Sequence, residues 1–97
     1  MSLGPPQMSN TKQWCVYIVR CFDDTLYTGA TNNLLKRIDK HNSGKGAKYT
    51  RSRLPVILSW SKNVDSKSEA LKLEWSIKKL TRKQKMELIN DSLYVEN

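Results

Sequence analysis

Apolar and polar positions in this chain alternate between short stretches with no polar face and longer stretches with one polar and one apolar side. "WCVYIVR" (residues 14–20) is apolar on both alternations and rich in aromatic and β-branched residues, the pattern of a strand covered on both faces. "TLYTGAT" (residues 25–31) reads as a second strand, with Phe22-Asp23-Asp24 as the turn, so the two form a hairpin. "LPVILSWS" (residues 54–61) reads as a third strand with Pro55 at its entrance. Between these lie helical patterns. Thr31 can cap a helix over "NNLLKRIDKHNS", whose stripe is Leu34, Leu35 and Ile38, and Gly44 suits the left-handed residue after its end. "SKSE" has the serine-to-glutamate spacing of a capping box and "TRKQ" repeats it with glutamine, so two further helices begin near Lys67 and Arg82. The resulting order, β-β-α-β-α-α, predicts an α+β domain: a three-stranded antiparallel sheet flanked by three helices. That domain is expected over residues 14–91, with residues 1–13 a tail or expression remnant and residues 92–97 a C-terminal tail.

Charge changes this picture from a fold to a surface with a partner. Seventeen Lys and Arg against nine Asp and Glu leave a net charge of +8. The cations are clustered: Lys36, Arg37, Lys40, Lys45, Lys48, Arg51 and Arg53 face the single acid Asp39, and residues 78–85 add five more with no acid. Two dense basic stretches on a small domain point to a polyanion, most simply nucleic acid, because phosphate contacts release counterions whatever the sequence. A bilayer is excluded as a partner for a spanning segment, since no apolar run approaches the roughly 18 residues required. Two cysteines, Cys15 and Cys21, and one histidine, His41, cannot build a zinc site of the usual spacing. They read as reduced, partly buried thiols of a cytoplasmic protein, expected to be a monomer or weak dimer.

The candidate chemistry sits on the helices. At about 100° per residue, Ala70, Leu73, Ile77 and Leu80 form the stripe of the second helix and Leu71 widens it. Glu74 falls inside that arc. A carboxylate there is costly unless a cation meets it, so it reads either as half of a Glu74–Lys78 pair or as a metal ligand. On the first helix Arg37 and His41, spaced i and i+4, share an edge and can point into one cleft. "SGKGAKYTR" lacks the spacing of a P-loop. It reads instead as a loop that tracks a nucleic-acid backbone, with Lys45, Lys48 and Arg51 on phosphates, Arg53 beside them and Tyr49 able to stack on a base. Trp14, Trp60 and Trp75 read as core or rim aromatics.

Taken together, "VYI" (16–18), "YTG" (27–29), "TNNLLKRIDKH", "GKGAKYTR" and "ALKLEW" resemble the GIY-YIG nuclease superfamily, in particular its small stand-alone members. The resemblance covers residues 14 to about 90, with Val16 standing for the first glycine and Thr28 for an isoleucine. It implies a metal-dependent endonuclease acting on DNA more readily than RNA, with a protein partner for targeting. Its alternative is a non-catalytic nucleic-acid-binding module that retains the fold. By position it implies that Tyr17 acts on the attacking water, that Tyr27 is the second-motif tyrosine and that Gly29 is the tight backbone beside it. Arg37 would neutralise the scissile phosphate, His41 would occupy the family's position for a histidine or tyrosine one turn on, and Glu74 would be the protein ligand for Mg²⁺, with Mn²⁺ as a substitute. Asn90 is a further candidate on the helix after the glutamate.

One constraint follows from strand geometry alone. Side chains alternate faces, so Tyr17 and Tyr27 share a face only if paired residue numbers sum to an even number. A two-residue Asp23-Asp24 turn would part them, whereas a three-residue loop from Asp23 to Thr25, pairing Phe22 with Leu26, would join them. An odd-length loop or a bulge is therefore expected, with Arg37 and Glu74 on the same side.

Overall fold

A computed structural model of the chain describes residues 13–94; the expected tail over residues 1–13 lies almost wholly outside them. The elements are β1 (Cys15–Arg20), β2 (Leu26–Thr31), α1 (Leu34–Asn42), α2 (Lys48–Arg51), β3 (Ile57–Asn63), α3 (Lys67–Lys78) and α4 (Arg82–Tyr94). The sheet is antiparallel with order β2-β1-β3, which places β1 at its centre. This is the expected α+β order, with one extra turn of helix, α2, inside the stretch read as a loop. Thr50 is fully buried there and its hydroxyl donates to Ala47 O at 3.0 Å, so the turn closes on its own side chain.

β1 is covered on both faces, as its pattern required, and its two faces seed two cores. Val16 and Ile18 pack with Ala70, Ile77 and Ile89 from α3 and α4. Tyr17 and Val19 pack with Cys21 and Val56, and with Leu34 and Ile38 from α1. The protein is thus three layers thick over a sheet only three strands wide.

The hairpin settles the register question. Tyr17 pairs with Gly29, Val19 with Tyr27 and Arg20 with Leu26, all even sums, so the two tyrosines share a face. The loop is three residues long, as expected, but it is Phe22 to Asp24 rather than Asp23 to Thr25. Cys21 N–H donates to Thr25 O at 2.8 Å, and Asp24 takes the left-handed conformation at φ 69°. Aspartate tolerates that region, and Asp23 stiffens the turn by accepting from Thr25 N (3.2 Å) and Thr25 Oγ1 (2.7 Å). Arg53 and Arg82 then anchor Asp23 and Asp24, at 3.0 and 3.1 Å.

Helix starts match the predicted caps with one shift. Asn33, not Thr31, caps α1, its side chain accepting from Lys36 N at 3.3 Å, because Thr31 is still the last residue of β2. Ser66 caps α3 through Glu69 N at 3.1 Å, and Thr81 and Gln84 bond reciprocally at 3.1 and 2.9 Å before α4. Gly44 follows α1 at φ +83°. The end of α1 is tied to the entry of β3 by Asn42, whose amide accepts from Val56 N (2.7 Å) and donates to Val56 O (3.2 Å).

Thr28 carries a fault that a substitution should expose. It is 2% exposed and its hydroxyl finds no partner among the described residues. A buried unpaired hydroxyl costs about 1–3 kcal/mol, so Thr28→Val, which keeps the shape, is expected to raise the unfolding free energy by about 1 kcal/mol. Urea denaturation checks this; a loss of stability would show that the hydroxyl has a partner after all.

Candidate active site

The site is built outward from Tyr17. Its ring lies over Gly29, the residue it pairs with across the hairpin; a Cβ there would stand 2.6 Å from Tyr17 Cζ. Glycine is needed at this position for a close approach rather than for an unusual φ. The ring is fully buried, and α1 closes over its hydroxyl from the side.

Two groups from α1 meet that hydroxyl, and a third, from α2, extends the line. Arg37 Nε–H donates to Tyr17 Oη at 3.2 Å, and Tyr17 Oη lies 2.9 Å from His41 Nε2. On the far side, His41 Nδ1 lies 2.9 Å from Thr50 Oγ1. Because Thr50 gives its one hydroxyl proton to Ala47 O, it must accept from His41 Nδ1–H. Nε2 of the neutral ring is then an acceptor, and the tyrosine O–H points to it. The phenol oxygen, both imidazole nitrogens and the threonine hydroxyl are all used, although Tyr17, His41 and Thr50 are each 0% exposed.

Burial sets the protonation of both central groups. Desolvation pushes the Tyr17 phenol above its ordinary value, and the hydrogen bond and charge of Arg37 only partly offset this. Arg37 therefore does not make a standing tyrosinate. Desolvation, then the charge of Arg37, holds the His41 imidazole below its ordinary value, so it is neutral at pH 7 and free to take a proton.

Tyr27 completes the same wall. Its ring meets His41 edge-on at 5.5 Å between centroids and stacks on Tyr49 at 5.9 Å. Glu74 arrives differently from the expectation. Its helix packs on the opposite face of the sheet from Tyr17, through Ala70 and Ile77, so Arg37 and Glu74 come from opposite layers. Glu74 is ion-paired with Lys78 at 3.2 Å, the Lys78 ammonium lies 5.9 Å from the centre of the Tyr27 ring, and the carboxylate's charge is felt at Tyr17. The Glu74 side chain is only 18% exposed, so the pair is half-buried rather than the surface pair weighed from sequence.

The basic loop divides in two. Lys45, Lys48 and Arg51 are exposed, while Arg53 is engaged: it lies 4.1 Å over the Tyr49 ring, donates to Tyr49 O at 2.8 Å and pairs with Asp23. Tyr49, expected as a base-stacking platform, already carries Tyr27 and Arg53 against its ring. Asn90 is exposed on α4. Two residues of the site escaped the sequence reading, Thr50 and Gly46. A Cβ on Gly46 would stand 2.6 Å from His41 Nδ1, so the loop's second glycine lets it press against the imidazole. The signal lies in "GKGAKYTR", whose glycines are weighed from sequence only against a P-loop and not as places of close packing.

Among the described residues no three His, Cys, Asp or Glu side chains cluster as a metal cage. One carboxylate nevertheless fits Mg²⁺, which keeps most of its waters and is commonly held by one or two carboxylates plus substrate phosphates.

The chain belongs to the GIY-YIG family: the GIY-YIG catalytic domain matches residues 13–87. That family is a nuclease superfamily, which implies in general a nucleic-acid substrate and a divalent metal. The chain is 53% identical over 85 residues to the UPF0213 protein YsiG of Lactococcus lactis, covering 87% of this chain and 82% of that one. It is 55% identical over 83 residues to the UPF0213 protein CPE1444 of Clostridium perfringens, covering 84% and 89%. Among solved structures it is similar to EF2693 from E. faecalis, with TM-score 0.59, 40% identity and coverage of 89% and 91%. It is also similar to the UPF0213 protein BH0048 from Bacillus halodurans, with TM-score 0.53, 44% identity and coverage of 87% of each chain. No helix among the described residues is long and apolar enough to cross a membrane.

Two measurements check this geometry. Gly29→Ala forces a buried ring to move, an overpacking expected to destabilise the domain by about 1–3 kcal/mol; an unchanged urea midpoint would contradict the contact. His41 binds its proton more weakly folded than unfolded, so below pH 6.5 the unfolded chain holds more protons and stability falls as pH falls. The contribution is complete above the unfolded value of about 6.5 and is lost as pH drops through the lower folded value. Urea midpoints between pH 7.5 and 5 should show this slope in the wild type and largely lose it in His41→Gln; a flat wild-type profile would contradict a buried neutral imidazole.

Proposed function

We propose that this protein is a Mg²⁺-dependent endonuclease that hydrolyses phosphodiester bonds in DNA, with Tyr17 as the group that takes the proton of the attacking water. The observation that carries this is the hydrogen-bonded line from Arg37 through Tyr17 to His41. A phenol with pKa near 10 is ionised about once in 10³ molecules at pH 7, a deficit of about 4 kcal/mol, and burial here widens it. Direct deprotonation by a standing tyrosinate is thus a poor route. The relay avoids it: once bound substrate opens the phenol, here closed to solvent, to the attacking water, that water gives its proton to Tyr17 Oη as the tyrosine's own proton passes to His41 Nε2 at 2.9 Å. Arg37 stabilises the negative character on Oη during that transfer, and Thr50 keeps Nδ1–H occupied so that Nε2 alone receives the proton.

Arg37 is half-buried, so its guanidinium can face the phosphoryl oxygens while Nε holds the tyrosine. Tyr27 walls the cleft on the side of Lys78 and Glu74. Glu74 would hold Mg²⁺, or Mn²⁺ in its place, which when bound supplies Lewis-acid charge beside the phosphate. Lys45, Lys48 and Arg51 lie exposed on the adjoining loop and are suited to the phosphates of the flanking strand. The non-catalytic alternative has one observation in its favour, the Lys78 ammonium already seated on Glu74 at 3.2 Å.

Cleavage of plasmid, single-stranded and branched DNA with and without Mg²⁺ tests the proposal. The expected result is metal-dependent cleavage that falls by about 10²–10⁴ in Tyr17→Phe, the usual share of general acid–base catalysis, with substrate binding retained. The rate should fall as pH drops below the His41 value and the relay's acceptor is filled. Cleavage unchanged in Glu74→Ala would remove Glu74 as the metal ligand, and binding without turnover under every condition would favour the non-catalytic module.

A further inference from the structure

The apolar stripe expected on α3 does not account for the helix. Ala70 and Ile77 are buried, but Leu71 is 47% exposed and Trp75, read from sequence as a core or rim aromatic, is 64% exposed. Trp14 and Trp60 by contrast pack against the core. An indole left two-thirds open on a small domain is a large apolar surface with no structural use, and such surfaces mark interaction sites.

Its surroundings identify the partner. On the helical wheel Glu74, Lys78, Leu71 and Trp75 follow one another around α3, so the indole continues the belt that begins at the candidate active site. Beyond Trp75 come Lys79, whose ammonium sits 3.8 Å over the indole, and Lys72, which with Ser68, Leu71 and Ser76 lines the open groove beside it. Of the acids of this helix, Glu74 is paired with Lys78, and Glu69 is exposed at the outer edge of the groove, past Lys72 and Ser76. A second copy of the chain would set these lysines against themselves on proteins of net charge +8. An exposed indole with Lys79 over one face and Lys72 beside it, on a protein of net charge +8, suits a strand that carries both phosphates and unpaired bases.

We infer that the Leu71–Trp75–Lys79 face of α3 is a stacking subsite for an unpaired nucleotide of the bound strand. The indole takes the base, and Lys72 and Lys79 take the neighbouring phosphates. This deepens the nuclease reading and rests on it: the substrate class becomes nucleic acid with a single-stranded segment, since a base inside a duplex cannot reach the ring.

Binding can be read without cleavage. Short oligothymidylate and a blunt duplex of equal length are titrated, free of divalent metal, into wild type, Trp75→Ala, Trp75→Phe and Lys45→Ala, following oligonucleotide anisotropy and protein fluorescence. The expected result is quenching of the exposed indole by the single strand and at least about tenfold weaker single-strand binding in Trp75→Ala. Trp75→Phe should recover most of the loss. Duplex affinity should move less than threefold in either variant, and Lys45→Ala should weaken both ligands alike. Equal single-strand affinity in wild type and Trp75→Ala would overturn the subsite. So would sedimentation showing a wild-type dimer that Trp75→Ala dissolves, because a second copy would then own the face. The failure of the nuclease reading looks different: quenching and discrimination persist while no substrate is cut with metal.

Discussion

A phenol and an imidazole buried side by side must answer each other's hydrogen-bonding needs, and the rest of the site follows from that necessity. Leaving either unpaired would cost about 1–3 kcal/mol, a large part of what a domain this small can hold. The solution is a line in which each group both gives and takes: Arg37 to Tyr17, Tyr17 to His41, His41 to Thr50, Thr50 to Ala47. The line has a direction because its two ends are fixed. A guanidinium can only donate and a carbonyl can only accept, so the protons between them can sit in one arrangement. Structural satisfaction and a poised proton relay are thus the same set of bonds.

Two glycines and a register make room for that line. Gly29 lets the Tyr17 ring lie flat over β2, and Gly46 lets the loop before α2 press on His41. The three-residue hairpin sets Tyr17 and Tyr27 on one face, while the position of β2 at the sheet edge lets Glu74 approach from the opposite layer. A wider sheet would have shut the two layers off from one another. The narrowness that leaves this domain little core is also what brings a carboxylate from one layer beside tyrosines facing the other.

Most of the fold was legible because its signals are local. Capping boxes at Ser66 and Thr81, the doubly apolar β1 and the glycine after α1 each state a requirement within a few residues. Thr31 was misread as a cap because its hydroxyl does accept, at 3.1 Å, from Asn33 N; it braces the residue that caps. What the sequence could not supply was tertiary. Thr50 looked like one polar residue in a basic loop until burial made it the partner of His41, and Arg53 looked like a phosphate contact until Asp23 and Tyr49 claimed it. Trp75 failed in the opposite sense: hydrophobicity predicts burial on average, but the core side of α3 was already filled by smaller residues.

The central claim is that His41 is neutral, with its proton on Nδ1 and its Nε2 lone pair facing the Tyr17 hydroxyl. Long-range ¹H–¹⁵N correlation spectra of the single imidazole at pH 7 read this directly. The account predicts one protonated nitrogen assigned to Nδ1 and one unprotonated nitrogen at Nε2, the latter shifting in Tyr17→Phe. A ring protonated at Nε2, or at both nitrogens, would mean that the tyrosine has nowhere to send its proton, and the relay would have to be abandoned.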